Sequence, residues 1–367
     1  MERRRHNMEI LLGILIALVV IVLVILIAYQ VWKWNNRRQV RLTGEKAVDY
    51  GEYVELNGIE QYFYHRGHDK NNPVMIFLHG GPGSPMLPFA NAFQLEWEKQ
   101  VTVVQWDQRG AGKTYFRNRD KKTPTITMEQ MLADGKAMID YLKTKYDKDK
   151  IIIMGHSWGS VLGSQLALKY PHDIIAYIGI GQVVNMFNNE QVGYDKVLEA
   201  AKKAGNSKDI QILESLLPYP TYEFDERMKK NIMRLRGVQA KYKLSTGVSF
   251  ELVKLAFGSP FYSFHDATFF LQTKAASLMA PLFDDLLKFD LPTIGTEYQV
   301  PYFTIQGEND WQTPISLARE YFAEVQAPRK EFFAIENACH SPMLENKALN
   351  DKVVLRILSE INEKGKD

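Results

Sequence analysis

The strongest hydrophobic pattern lies near the start of the chain. From Ile10 to Ala28 all 19 residues are apolar or glycine. A helix of this length rises about 28 Å, close to the ~30 Å hydrocarbon core of a bilayer. Tyr29 and Trp32 follow, and then Arg37 and Arg38, in the order of an interfacial aromatic belt and a charged stop. The pattern predicts an uncleaved membrane anchor, because a signal peptide has a shorter apolar core that ends in small residues.

This pattern divides the first part of the chain into three segments. We expect a short basic tail over residues 1–9, a transmembrane anchor over 10–32 and a juxtamembrane linker over 33–46. Three arginines precede the apolar run and four Lys or Arg residues follow it, so the positive-inside count is nearly balanced. A short tri-arginine tail is costly to translocate. The sequence therefore favours a cell-membrane protein with a cytoplasmic N-terminus and a body outside the cytoplasm.

After the anchor, short β-rich runs alternate with helical periods. Residues Val54 to Tyr64, with a turn at Asn57-Gly58, predict an antiparallel hairpin. Further β-rich runs occupy residues 74–78, 101–106, 151–154, 174–180, 300–305 and 331–335. Strands alternating with helices indicate an α/β fold with a mostly parallel sheet covered by helices on both faces. We assign the core of this fold to residues 47–181 and 293–367.

The stretch 182–292 breaks the alternation. It is mainly helical in pattern and rich in aromatic residues. A helical insertion between two strands predicts a cap above the carboxyl edge of the sheet. The aromatic rings either fill the cap's own core or contribute to a binding surface, and the former is expected for most of them.

Charge and cysteine content narrow the function classes. Through Arg41 the chain carries seven of its 45 Lys and Arg residues and two of its 43 Asp and Glu residues. The remainder therefore has 38 basic and 41 acidic side chains, a net charge of −3, and nucleic acid is not an indicated partner. The single cysteine, Cys339, excludes an internal disulfide and a cysteine-only metal site.

The clearest chemical motif is Gly155-His156-Ser157-Trp158-Gly159, directly after a β-rich run and before a helical period. Small residues two positions before and after a serine allow a strand to turn sharply into a helix, so that the serine projects at the tip. This context predicts that Ser157 is a nucleophile. A serine hydroxyl needs a base, and the base needs a carboxylate, in the chain order Ser, acid, His.

Three histidines follow Ser157: His172, His265 and His340. His172 comes just after a helix end and His265 lies in the predicted cap. His340 follows the strand EFFAI, in a loop at the carboxyl edge of the sheet. We therefore expect His340 to be the general base.

The candidate acid is Asp310, in the loop after the strand VPYFTI. Glu308 is a near rival, whereas Asp284, Asp285 and Asp290 belong to the cap or its exit. Asp310 could alternatively cap the helix that starts at Thr313. Asp107 precedes the serine, so it fails the expected order and is expected to hold a local turn, with Arg109 as a possible partner.

The glycine-rich run His79-Gly80-Gly81-Pro82-Gly83 follows the strand VMIFL. It has no following lysine, and the Gly-Lys-Thr at 112–114 lacks the first glycine of a phosphate-binding loop. An oxyanion hole instead needs one amide from the residue after the nucleophile and one from an earlier loop. We expect these donors to be Trp158 and Gly81.

Taken together, these motifs resemble the α/β-hydrolase superfamily and, within it, the prolyl iminopeptidase family of serine aminopeptidases. The matching residues are the HGGPG run at 79–83, Asp107-Gln108-Arg109-Gly110, Gly155 to Ser160, Gly307 with Asp310, and His340-Ser341. The resemblance covers residues 47–362, and the membrane anchor lies outside it. This sequence departs from the family after Gly112, where the family usually has a serine and this chain has Lys113-Thr114.

The resemblance implies an acyl-enzyme mechanism with Ser157, Asp310 and His340, and with Gly81 and Trp158 as oxyanion donors. It implies release of an N-terminal residue, often proline, from a peptide without a metal or organic cofactor. Family members use cap carboxylates to hold the substrate's free amine, and Glu190 is the candidate here; an exposed helix residue is the alternative. Two other functions stay open: an esterase or amidase for a hydrophobic acyl substrate, and a non-catalytic binding protein.

Overall fold

The computed structural model describes residues 2–120, 126–247 and 249–364. Eight strands form one sheet in the order β1-β2-β4-β3-β5-β6-β7-β8. Their bounds are β1 Val48–Leu56, β2 Ile59–Gly67, β3 Val74–Leu78, β4 Thr102–Asp107, β5 Ile151–His156, β6 Ile174–Ile180, β7 Tyr302–Gly307 and β8 Lys330–Ile335.

The hairpin predicted at the start of the body is confirmed. β1 and β2 pair antiparallel, with Leu56 opposite Ile59. The turn residues Asn57 and Gly58 both have positive φ, 49° and 80°, as the tight hairpin turns that match strand twist require. β2 also pairs antiparallel with β4, and all later pairings in the sheet are parallel. The predicted mostly parallel sheet is therefore confirmed.

Helices cover both faces of the sheet, which explains why the central strands are apolar throughout rather than alternating. The helices of the core are α2 Ala90–Phe93, α3 Gly112–Asn118, α4 Met128–Tyr146, α5 Trp158–Lys169, α14 Ile315–Glu324, α15 Pro342–Glu345 and α16 Lys347–Lys364. On one face α4 and α5 pack through Met138, Leu142 and Leu162. On the other face Trp97 and the α16 residue Ile357 are buried against the sheet.

Between β6 and β7 the chain is helical. These helices are α6 Met186–Lys203, α7 Ser207–Glu214, α8 Glu226–Lys241, α9 Phe250–Gly258, α10 Phe264–Ala267, α11 Thr273–Leu278, α12 Ala280–Leu287 and α13 Leu291–Ile294. Tyr194, Leu213, Tyr219 and Leu235 belong to a buried cluster of their own, separate from the two clusters on the sheet. Some of the aromatic rings of this region therefore fill its own core.

The first helix, α1, runs from Glu2 to Val40. Within the described residues it is the one helix long and apolar enough to cross a membrane. Residues 33–40, which lie within the predicted juxtamembrane linker, are part of this helix. The physical reason is that the helix packs on the body: Asn36 Nδ2 donates to the Gly258 carbonyl, and the Val40 carbonyl accepts from Arg66 Nη2.

Candidate active site

Ser157 lies at the junction of β5 and α5, with φ 54° and ψ −121°. Positive φ is a strained conformation for a serine, and it presents the side chain at the tip of the turn. A Cβ on Gly155 would lie 2.3 Å from the Gly159 carbonyl oxygen, and a Cβ on Gly159 would lie 1.9 Å from the Leu78 carbonyl oxygen. Only glycine allows the helix to begin this close to the two strands.

His340 lies in the loop after β8, and its Nε2 is 2.8 Å from the Ser157 Oγ. This loop passes directly against the end of β7, where a Cβ on Gly307 would lie 1.9 Å from the Cys339 carbonyl oxygen. The close approach brings the loops after β7 and β8 together. On the other side of the His340 ring, Nδ1 is 2.9 Å from Asp310 Oδ2.

Asp310 is fully buried and accepts several hydrogen bonds besides that of His340. The backbone amides of Gln312 and Thr313 donate to Oδ1, at 3.0 and 2.9 Å. Oδ2 accepts from the side-chain Nε2 of Gln306 and from the Thr313 hydroxyl, both at 2.8 Å. Asp310 therefore contacts His340 and also holds the turn before α14. It does not cap that helix, which begins at Ile315 after Pro314 and has no side-chain cap, so the helix-cap alternative is wrong.

A second histidine supports the position of the first. His156 Nε2 is 2.8 Å from the His340 carbonyl oxygen, to which it donates. Burial lowers the pKa of His156 to about 3, so the ring is neutral and can keep its proton on Nε2. The sequence motif around Ser157 includes His156 but carries no signal of this contact, so it was not predicted.

The glycine-rich loop passes beside Ser157. A Cβ on Gly80 would lie 3.1 Å from the Ser157 Cβ, which places this backbone against the serine. Gly81 has φ +116°, and Ser84 N closes the loop by donating to the Gly80 carbonyl at 3.1 Å. Within residues 2–120, 126–247 and 249–364, no backbone or side-chain acceptor is paired with the Gly81 or Trp158 amide. Both predicted oxyanion donors therefore have no protein acceptor within the described residues.

The three motifs that the sequence singles out also contact one another. Trp158 Nε1 donates to Gln108 Oε1 at 3.0 Å. Gln108 Nε2 in turn donates to the His79 carbonyl at 3.3 Å, and the Gln108 amide donates to His79 Nε2 at 3.3 Å. Gln108 therefore ties the glycine-rich loop to the first residue of α5. Its role was not predicted from the sequence, since a glutamine between strand and turn has no distinguishing pattern.

Comparison with known proteins agrees with this architecture. Residues 73–206 match a protein-family model whose description is "alpha/beta hydrolase fold". The chain therefore has the α/β-hydrolase fold.

The chain is 29% identical over 313 residues to the probable aminopeptidase YbaC of Bacillus subtilis, covering 83% of this chain and 95% of that protein. It is 25% identical over 329 residues to the proline iminopeptidase PfmaB of Pestalotiopsis fici, covering 85% and 99%. The predicted resemblance to prolyl iminopeptidases is thereby confirmed.

Two solved structures show the same fold. A membrane phospholipase A described as a bacterial virulence factor superposes with a TM-score of 0.62 at 15% identity, covering 96% of this chain and 99% of that chain. A proline iminopeptidase-related protein from Thermus thermophilus superposes with a TM-score of 0.60 at 18% identity, covering 85% and 98%.

The rival candidates for the base and the acid lie elsewhere in the fold. His172 is in a single turn before β6, and His265 is exposed on α10 beside Phe116. The rival carboxylates have other surroundings: Glu308 is exposed, Asp284 and Asp285 accept from the amides of Phe224 and Met128, and Asp290 precedes α13. None of these six residues contacts His340 in the parts of the chain that the structure describes.

Asp107 holds a turn, as expected, but not with Arg109. Its Oδ2 accepts from the Lys113 amide at 2.8 Å and from the Tyr262 hydroxyl at 2.5 Å, and burial raises its pKa to about 7. Arg109 instead pairs with Asp134 at 2.7 Å. The Arg109 guanidinium points away from Asp107, because both carboxylate oxygens of Asp134, on α4, accept hydrogen bonds from it.

Glu190 is buried on α6 rather than exposed. The Tyr219 hydroxyl donates to its Oε2, and Arg236 Nη2 donates to its Oε1. Both carboxylate oxygens are therefore engaged by residues of the helical region between β6 and β7, and Glu190 is not presented as a free anion for a substrate amine. The described residues contain no group of three or more His, Cys, Asp or Glu side chains placed to hold a metal ion.

Proposed function

We propose that this protein is a serine hydrolase in which Ser157 is the nucleophile, His340 the general base and acid, and Asp310 the residue that orients His340. One observation carries the proposal: His340 lies in hydrogen-bond contact with Ser157 Oγ through Nε2, at 2.8 Å, and with Asp310 Oδ2 through Nδ1, at 2.9 Å. Nucleophile, base and orienting carboxylate in this order are the requirements for activating a serine.

In the proposed reaction, His340 Nε2 takes the hydroxyl proton as Ser157 Oγ attacks the substrate carbonyl carbon. The carbonyl oxygen becomes an oxyanion, which accepts hydrogen bonds from the Gly81 and Trp158 amides. His340 then gives its proton to the leaving nitrogen or oxygen as the bond to the acyl carbon breaks. Water, deprotonated by His340, hydrolyses the resulting acyl-serine, and the proton returns to Ser157.

For the substrate, we propose the N-terminal residue of a peptide, so that the protein acts as an aminopeptidase of the prolyl iminopeptidase type. The support is the similarity, over most of the body, to proteins named probable aminopeptidase and proline iminopeptidase. The chemistry needs no metal or organic cofactor, because nucleophile, base and oxyanion donors all come from the chain.

A second candidate is an esterase or amidase for a hydrophobic acyl group. The observation that favours it is the pairing of Glu190 with Arg236 and Tyr219, since an aminopeptidase needs a carboxylate free to hold the substrate's ammonium group. The third possibility, a non-catalytic protein on a hydrolase fold, predicts an unreactive Ser157 and is tested by the same experiment as the first.

That experiment is labelling with a fluorophosphonate probe, which reacts with an activated serine. Wild-type protein should label, and Ser157→Ala should lose labelling and at least about 10³-fold in kcat, the cost typical of removing a serine nucleophile. Ser164→Ala is the matched control, because Ser164 lies on the same helix and its hydroxyl donates, among the described residues, only to the Val161 carbonyl. Turnover retained in Ser157→Ala would refute the mechanism.

The substrate class is decided by hydrolysis of aminoacyl anilides (Pro, Ala, Leu, Phe) beside short and long acyl esters. Faster turnover of the anilides supports the aminopeptidase. Activity on esters with none on anilides would favour the second candidate.

We also propose that α1 anchors the protein in the cell membrane, with residues 10–32 as the span, that residues 182–292 act as a cap on the core, and that the body faces away from the cytoplasm. The exposed apolar surface of α1 through residue 28 supports the anchor. Protease treatment of intact cells tests the orientation: the body should be cleaved, and its protection would place it in the cytoplasm.

A further inference from the structure

A group of apolar side chains is exposed on the cap around α9 and α10. Phe250, Val253 and Phe264 are 79%, 44% and 57% exposed. Phe250, Val253 and Phe257 are spaced three and four residues apart, so they lie on one face of α9. The Phe257 ring packs on that of Phe264, with centroids 5.4 Å apart. We call Phe250, Val253, Phe257 and Phe264 the apolar cap face.

The apolar cap face adjoins the end of the apolar run in α1. The Tyr29 hydroxyl donates to the Phe257 carbonyl at 2.8 Å, and the Tyr29 ring meets the Phe264 ring edge-on at 5.8 Å. A Cβ on Gly258 would lie 2.4 Å from the Trp32 ring, so α9 and α1 are in close contact.

There is no spacer between the apolar run and these contacts. The run ends at Ala28, and Tyr29 already touches the cap. With a rise of about 1.5 Å per residue, the cap contact begins within a few ångströms of the hydrocarbon boundary. Lys33 Nζ also donates to the Ser259 and Tyr262 carbonyls, which fixes the cap to this part of the helix.

From this geometry we infer that the apolar cap face rests on the lipid bilayer that holds α1, as a second membrane contact of the protein. Aromatic side chains are favoured in the interfacial region, where apolar and polar surroundings meet. The occupant is a bilayer rather than a second protein because the face is continuous with the apolar surface of α1. The inference rests on the proposed anchoring of α1.

Spin-label depth measurement on the full chain in phosphatidylcholine–phosphatidylglycerol vesicles tests this inference. Single cysteines are placed at Val253 and Phe264 in a Cys339→Ser background, and collision of the label with oxygen is compared with collision with a water-soluble nickel chelate. Met233, on α8 and 72% exposed, is the matched control position outside the face, and Val19 reports on the anchor. Circular dichroism checks that each variant is folded.

Labels at positions 253 and 264 should favour oxygen several-fold over the nickel reagent, and the label at 233 should favour the nickel reagent. If the labels at positions 253 and 264 are as accessible to the nickel reagent as the label at 233, while the label at 19 lies in lipid, the inference is wrong and the anchoring proposal is retained. If 19 is also accessible to the nickel reagent, the anchoring proposal fails. Labels at 253 that are shielded from both reagents and broadened by spin–spin coupling would mean that a second copy covers the face, which also overturns the inference.

Discussion

The core loops and the cap organise polar groups around the candidate site in different ways. In the core, Ser157, His340 and Asp310 are brought together where strands end, and glycines permit the close backbone approaches. In the cap, a buried ion pair between Glu190 and Arg236 joins the helices α6 and α8. The spacing of residues along the sequence does not predict this pair. The comparison teaches that the core arrangement follows from short motifs, whereas the cap arrangement depends on which helices pack together.

The largest expected effect tests the core side of this comparison. Asp310→Asn should lower kcat by about 10³–10⁴-fold, because an asparagine cannot stabilise the protonated His340 or hold its Nδ1 proton in the same way. Asp284→Asn, in the cap, is the control and should leave kcat near the wild-type value. Steady-state kinetics on the best substrate of the panel measures both. The reverse ranking would assign the acid to the cap.

The next effect tests the cap side. Glu190→Gln leaves the Arg236 charge without its partner and should lower the free energy of unfolding by about 3 kcal/mol, the lower end for buried pairs because Arg236 is partly exposed. Glu226→Gln, which breaks an exposed pair with Lys229, should cost less than about 1 kcal/mol.

Denaturant unfolding in detergent measures the Glu190 effect, and Glu190→Gln/Arg236→Gln should recover part of the loss. Unchanged stability together with selective loss of anilide hydrolysis would instead give Glu190 the substrate-binding role that the sequence suggested.

Two glycine substitutions sharpen the contrast further. Gly159→Ala places a Cβ 1.9 Å from the Leu78 carbonyl oxygen, so it should destabilise by about 1–3 kcal/mol and displace Ser157. Gly237→Ala lies within α8, where no atom of the described residues comes within 4 Å of the added Cβ. It should stabilise by about 0.5–1 kcal/mol through helix propensity. Thermal unfolding compares them, and a neutral Gly159→Ala would contradict the close-approach argument.

The smallest effect concerns Asp107, where core and cap meet through Tyr262. Burial raises its pKa to about 7, so the folded state binds a proton that the unfolded state has released. Stability from this group is full below the unfolded pKa and falls as pH rises toward 7, by at most about 1.4 kcal/mol between pH 5 and pH 6. Asp107→Asn should flatten this slope. Denaturant unfolding at the two pH values checks it, and parallel slopes would contradict it.

The sequence by itself determined the elements of the core and the identity of the candidate site residues. Buried parallel strands need unbroken apolar runs, and a sharp strand-to-helix turn needs small residues around Ser157, so both leave short local patterns. The chain order of acid and histidine then pointed to Asp310 and His340. The apolar run of α1 could also be identified from the sequence, because the thickness and the apolar interior of a bilayer fix the length and the composition of a membrane-spanning helix.

Only the tertiary structure decided the contacts between segments distant in sequence. Gln108 joins Trp158 to the glycine-rich loop, His156 holds the His340 carbonyl, and Arg109 turns to Asp134. The helix α1 continues to Val40, and Asn36 near its end donates to the Gly258 carbonyl of α9. Such contacts depend on how helices and loops pack in space, and a polar residue carries the same local signal whether its partner lies three residues or a hundred residues away.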